Sequence, residues 1–264
     1  MYETNYHKAG SVDDAASKMG SAEDGKYLSG GMTLIPTMKQ RLAAPSDLID
    51  LGGIADLAGV SVSGSTVRIG AATTHADVAG NADLASACPA LAGLASHIGD
   101  PHVRNRGTIG GSIANNDPAA DYPAAMIALN ATIVTNSREI AADDFFAGLF
   151  ETALGDDEII TAVTFEAPAK AAYQKFPNPA SRYAMAGVFV AQSGNDVRVA
   201  VTGAGSDGVF RHGEMEQALT GTWASHAIDS CSVDASNLLS DIHGDANYRA
   251  NLVKVMAKRA VAAA

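Results

Sequence analysis

The pattern of apolar runs and turn residues predicts an α+β fold in two parts, a larger front domain over residues 1–168 and a smaller one over 169–264. Three observations carry that expectation. Short strand-like and helix-like segments alternate through the front part. Two apolar runs, residues 184–192 and 197–203, face each other across Ser193-Gly194-Asn195-Asp196, a hairpin signature. From Gly213 onward the apolar residues recur at helical spacing. The chain has 264 residues, 47% of them hydrophobic and only 18% charged, which is ample for a packed core and unlike a disordered segment.

In chain order, Lys26-Tyr27-Leu28 reads as a strand entering a glycine turn, and residues 33–41 then carry helical spacing that Pro45 terminates. Leu48-Ile49-Asp50-Leu51 is a short strand, and a first subdomain is expected to end near residue 55. Val60-Ser61-Val62 and Val67-Arg68-Ile69-Gly70 flank Ser63-Gly64-Ser65-Thr66, which predicts a second hairpin. Thr74 or Asp77, then Asn81, suit caps for helices over 76–79 and 82–98, the latter interrupted at Pro89. Residues 119–129 suit a helix with Pro123 in an early turn, and the β-branched run at 131–135 a strand. Phe165-Glu166-Ala167-Pro168 closes the last strand of the front domain, and residues 170–179 read as an aromatic, proline-bearing connection. Further helices are expected over 214–219, 233–239 and 247–263; there is no internal repeat and no low-complexity linker.

Charge and cysteine content exclude several function classes. With 18 basic and 29 acidic residues the formal charge is −11, which disfavours nucleic acid or an anionic membrane surface as a partner. No apolar run reaches the roughly 18 to 20 residues that a spanning helix needs. The stretch Met1-Tyr2-Glu3-Thr4-Asn5-Tyr6-His7 lacks a basic region followed by an apolar one, so no secretory leader is read and a cytoplasmic location is the default expectation. Cys88 and Cys231 are the only cysteines, too few and too far apart to ligate an iron–sulfur cluster or a structural zinc unaided.

Two hydroxyl-flanked glycine loops are the candidate site. Ser29-Gly30-Gly31-Met32-Thr33-Leu34-Ile35 lies between a strand and a helix, where free N–H groups can meet a pyrophosphate. It matches neither the dinucleotide fingerprint nor the P-loop. Thr108-Ile109-Gly110-Gly111-Ser112 follows Arg104 and Arg106, with Asp117 and Asp121 just beyond it. Glycine permits close approach of backbone to a bulky ligand, so Gly110→Val or Gly111→Val is expected to abolish ligand retention while sparing the fold. Either loop alone is compatible with an ordinary turn, and Asp121 or Asp117 with a helix cap; together the loops point to a nucleotide. His75 suits a structural or hydrogen-bonding role. His102 suits an exposed or subunit-contact position, and Arg104 and Arg106 suit phosphate contact, pinning of the loop or plain exposure.

The combination of Gly30-Gly31-Met32-Thr33-Leu34-Ile35-Pro36, Ile69-Gly70-Ala71-Ala72-Thr73-Thr74-His75 and Ile98-Gly99 through Arg104-Asn105-Arg106-Gly107-Thr108-Ile109-Gly110-Gly111 resembles the FAD-binding medium subunits of molybdenum hydroxylases. That group includes aerobic carbon monoxide dehydrogenase and the flavin portion of xanthine dehydrogenase, and the resemblance covers nearly the whole chain. It implies a two-part FAD-binding domain of the vanillyl-alcohol-oxidase-like type, subdivided near residue 55, and a smaller C-terminal domain with a short antiparallel sheet. By the same resemblance, residues 29–35 and 108–112 hold the FAD pyrophosphate through N–H groups and the hydroxyls of Thr33, Thr108 and Ser112. Asn115 also belongs to the FAD-binding set. Asp121 lies on the ribityl or ribose hydroxyls, Lys175 at the isoalloxazine edge, and Tyr183 over a ring face. Met32 departs from the polar residue often found there. The implied function is an electron-transfer subunit with no catalytic residue of its own. FAD would sit on this chain, [2Fe–2S] clusters on a small partner and the molybdopterin cofactor on a large one, assembled as a dimer of heterotrimers. The competing readings are a free-standing FAD-dependent oxidase or reductase of the same fold and a nucleotide-binding module without redox chemistry.

Overall fold

Three parallel strands start the chain. The computed structural model describes all 264 residues. Strand β1 (Asn5–Lys8), helix α1 (Val12–Ser21), β2 (Gly25–Leu28), α2 (Leu34–Lys39) and β3 (Asp47–Asp50) form a small subdomain with sheet order β1-β3-β2. Ser11 caps α1 by accepting from the Asp14 amide at 3.1 Å, and Asp13 and Asp14 fall in the first turn, where the helix dipole favours them. The central strand β3 contributes Ile49, which is buried with Ala15, Leu51, Ile54 and Leu57.

The second subdomain is wound around a five-stranded antiparallel sheet. Its strands are β4 (Val60–Ser63), β5 (Thr66–Gly70), β6 (Thr132–Thr135), β7 (Glu139–Ala141) and β10 (Ile160–Glu166), in the order β4-β5-β10-β6-β7. Between β5 and β6 the chain makes six short helices: α3 (His75–Gly80), α4 (Ala82–Ala87), α5 (Pro89–Ser96), α6 (Pro101–Arg104), α7 (Ile109–Asn115) and α8 (Tyr122–Ala128). Their starts are chemically marked. Thr74 and Asn81 accept from the amides of Asp77 and Leu84 at 3.1 and 2.8 Å, and Pro89 opens α5, where its missing N–H costs nothing. Helix α9 (Ala142–Phe145) and the two-stranded ribbon β8 (Phe146–Gly148) and β9 (Glu151–Thr152) return the chain to β10. Tyr122, Phe145, Ile69 and Leu91 are fully buried among the 31 residues of this core.

The C-terminal part is a four-stranded antiparallel sheet, β11 (Lys170–Pro177), β12 (Ala184–Ser193), β13 (Asp196–Thr202) and β14 (Phe210–Arg211), backed by α10 (Gly213–Gly221) and α11 (Ala246–Ala263). Two expectations are corrected here. Residues 170–177 are a full strand: Ala172 and Tyr173 are buried against β12, and the proline falls at the strand end, where the register shifts. Residues 233–239 hold only a 3₁₀ turn, Ala235–Asn237, because Asp234 accepts from the Ser236 amide and Leu238 leaves the turn to bridge Gly205. The sheet joins the two parts. One face packs against α11 and α10, while Tyr173, Phe189, Ala191 and Ala200 enter the front domain's core. Arg198 crosses the junction to Asp143 (2.9 Å) and the Ile127 carbonyl (3.1 Å). The Thr202 hydroxyl donates to the Ala120 carbonyl at 2.6 Å. No helix is long and apolar enough to cross a membrane.

Candidate FAD site

The two glycine loops meet along a cleft of about 670 Å³ that runs between the subdomains. They are joined directly: the Ser29 and Thr108 hydroxyls hydrogen-bond at 2.8 Å. Gly30 makes this possible, because a Cβ there would stand 2.1 Å from the Arg106 carbonyl oxygen.

The loops differ in what they leave free. From Ser29 through Leu34, six successive amides donate to no acceptor in the protein, and all six residues line the cleft. The first amide of the turn with a partner is that of Ile35, which donates to the Gly31 carbonyl at 3.1 Å and lies behind the cleft wall. Gly31, at φ +71°, lets the chain reverse between β2 and α2. A run of unpaired N–H groups at a strand-to-helix turn is an anion cradle.

In the second loop the amides are engaged. Ile109 donates to the Thr73 carbonyl (3.1 Å), Gly110 to the Ala71 carbonyl (2.8 Å), Gly111 to the Thr108 hydroxyl (3.1 Å) and Ser112 to the Thr108 carbonyl (3.0 Å). The expected amide contribution from 109–112 is therefore absent; this loop offers side chains instead. Gly110 also serves the protein, since its Cβ would lie 2.7 Å from the Ala71 carbonyl oxygen, so Gly110→Val does not spare the fold as expected from sequence. Ile109 is fully buried and does not reach the cleft. The Ser112 hydroxyl and the Asn115 amide line the cleft without a protein partner, as does the Thr33 hydroxyl. Met32 is part-exposed on the same wall.

Asp121 occupies the N-cap position of α8 but makes no capping bond. Its buried carboxylate accepts from the Tyr173 hydroxyl and from Lys175 Nζ at 3.0 Å. Burial pushes this carboxyl up, and Lys175 and Tyr173 oppose that rise by stabilising the ionised form. Lys175, expected at the isoalloxazine edge, is itself buried off the cleft wall, holding Asp121 and the His97 carbonyl. Tyr183 does line the cleft, half exposed. Asp117 forms a local turn, accepting from the Ala119 amide at 2.8 Å.

His75 lies under the second loop, with its amide donating to the Gly107 carbonyl (2.9 Å) and its ring 5.3 Å from that of Tyr122. Burial and the Arg104 guanidinium push its imidazole down to about 4, so it is neutral near pH 7, and its Nδ1 has no partner. Arg104 pins the segment, donating to the Ile98 carbonyl at 3.0 Å; His102 and Arg106 are exposed. Sequence reading missed a further stretch of the lining, made by Phe150, Leu154, Glu158, Ile159 and Ile160. There Arg138 clamps Glu158 through two 2.9 Å bonds and holds its carboxyl well below the usual range. Both cysteines are buried, and burial raises the Cys88 thiol to about 11.

These residues suit a dinucleotide diphosphate: an unpaired amide arc, unpartnered hydroxyls, and an acidic group already neutralised by a lysine. Residues 2–168 match the family model described as the FAD-binding domain in molybdopterin dehydrogenase. The chain is 36% identical to the nicotine 6-hydroxylase medium subunit of Paenarthrobacter nicotinovorans, covering 97% of this chain and 95% of that one. It is equally similar to the carbon monoxide dehydrogenase medium chain of Hydrogenophaga pseudoflava, at 36% identity over 98% and 96% of the two chains. The fold follows the sequence: against a solved carbon monoxide dehydrogenase of Oligotropha carboxidovorans the TM-score is 0.91 at 34% identity, covering 99% of this chain and 97% of that one. With a relationship that spans the whole chain, the chain belongs to the FAD-binding medium subunits of the molybdenum hydroxylases, a family of oxidoreductase subunits.

Proposed function

We propose that this chain is the electron-transfer subunit of a molybdenum hydroxylase assembled, as a dimer of heterotrimers, with a large molybdopterin subunit and a small [2Fe–2S] subunit in the cytoplasm. The observation that carries the reading is the arc of six unpaired amides at residues 29–34, which suits a diphosphate and no organic substrate in particular. Bound FAD would supply the exchange of electrons between the partner's [2Fe–2S] clusters and an external acceptor such as NAD⁺, a quinone or O₂.

The chain's own contribution is binding and electrostatics. The amides of 29–34 and the hydroxyls of Thr33 and Ser112 receive the phosphate oxygens. Lys175 keeps Asp121 from repelling them while leaving its carboxylate on the cleft wall to accept from sugar hydroxyls. Substrate hydroxylation belongs to the molybdopterin subunit.

The test is co-expression with the genes for the large and small chains. The purified chain should carry one FAD, with flavin bands near about 370 and 450 nm. The assembled complex stripped of FAD should still pass electrons from substrate to an artificial dye while losing turnover with the natural acceptor. Full-rate turnover of an organic substrate by this chain alone would instead make it a free-standing flavoenzyme.

A further inference from the structure

The ribbon of β8 and β9 turns at Leu149 and Phe150, and Phe150 is 60% exposed on the wall of the cleft. Its φ is +56°, a left-handed conformation that bulky residues adopt only at a cost and that glycine or asparagine takes readily. The conformation is held from below. The Phe150 amide donates to the Asn116 carbonyl at 3.2 Å. Asn116 Nδ2 donates to the carbonyls of Gly148 and Glu151 at 2.8 and 2.9 Å. Asn116 is itself left-handed and buried, and it terminates α7, the helix that carries Ser112 and Asn115 along the cleft.

The protein's own packing does not account for this arrangement. A phenylalanine that strains its backbone and remains exposed gains little from burial, yet a buried asparagine with two side-chain bonds fixes its position. The position has a counterpart. Tyr183, half exposed and also on the cleft wall, follows Arg182 at φ +63° and lies close enough to Asp117 and Asp121 for their charges to add to the effect of burial on its hydroxyl. Two exposed aromatic rings thus line the cleft together with Asn115, Asp117 and Asp121.

We infer that Phe150 is a cofactor-binding residue: its ring covers the isoalloxazine at the end of the cleft that it shares with Tyr183. Aromatic side chains offer flat apolar area at small entropic cost, and stacking on a heteroaromatic ring is worth far more than leaving both faces in water. The inference rests on the FAD reading above and adds the residue that the backbone strain serves.

The test uses the full chain stripped of FAD, with the affinity for added FAD read from flavin fluorescence and the apoprotein's melting temperature read separately. Phe150→Gly should leave the apoprotein's melting temperature unchanged or raised, because glycine accepts φ +56° without strain, and should weaken FAD binding about tenfold. Phe150→Asn should weaken it similarly, whereas Phe150→Trp should retain wild-type affinity. Phe150→Gly binding FAD within about twofold of wild type would overturn the inference and leave the FAD reading standing. A clear fall in its melting temperature would also overturn it, by showing that the ring holds the ribbon. A wild-type chain that takes up no FAD would overturn both.

Discussion

The two glycine loops look alike in sequence and do opposite work. In residues 29–34 the amides are free, with Gly30 admitting the Arg106 carbonyl and Gly31 shaping the turn; in residues 109–112 the amides are bonded to Ala71, Thr73 and Thr108, and Gly110 admits the Ala71 backbone. A Gly-Gly pair flanked by hydroxyls marks a close approach. Which partner approaches depends on where the surrounding carbonyls lie. The first loop is the one proposed above as the ligand surface, and the second braces it through Thr108.

Substitutions should separate the two roles. The largest effect is expected at Gly110, where valine would drive atoms into the Ala71 backbone; stability should fall by about 3 kcal/mol or more, read from denaturant unfolding of the FAD-free protein. A wild-type unfolding midpoint with FAD affinity lost would return Gly110 to the ligand surface. Next is Lys175→Met, which leaves Asp121 buried without its cation. It should cost about 3 kcal/mol, and Asp121→Asn in the same background should recover much of that loss.

Acid should expose the histidine under the second loop. His75 is held down near 4 in the folded protein against about 6.5 unfolded, so the unfolded chain binds the extra proton between those values and stability falls as pH drops through that window. The loss should reach about 2 kcal/mol by pH 4.5, and His75→Gln should flatten the slope most cleanly between about pH 5.5 and 6.5, where ordinary carboxylates stay ionised. The smallest effects belong to the ligand surface. Thr33→Val and Ser112→Ala should each weaken FAD binding about fivefold, near 1 kcal/mol, with the unfolding midpoint of the apoprotein unchanged.

Much of this architecture is legible in the chain. The hairpins at 60–70 and 184–203, the caps Thr74 and Asn81 and the break at Pro89 all express local chemistry, and the structure follows it. Strand β11 escaped notice because Lys170, Gln174 and Lys175 interrupt its apolar residues and a proline ends it; only pairing with β12 makes it a strand. The 3₁₀ turn at Ala235–Asn237 is the converse, a weakly helical spacing outweighed by Asp234 and by a bridge to Gly205. In the site, the glycine loops are visible by spacing, but the engagement of the second loop depends on carbonyls from Ala71 and Thr73, which no local pattern connects to it. The Lys175–Asp121 pair, separated by 54 residues, is hidden for the same reason.

Amide hydrogen exchange with and without FAD tests the contrast between the loops most directly. Amides of residues 29–34 should exchange fast in the FAD-free chain and become protected when FAD binds, while those of 109–112 should be protected in both states. Amides of 29–34 that stay unprotected under saturating FAD, or amides of 109–112 that gain protection only with the cofactor, would contradict the assignment of the first loop as the diphosphate cradle.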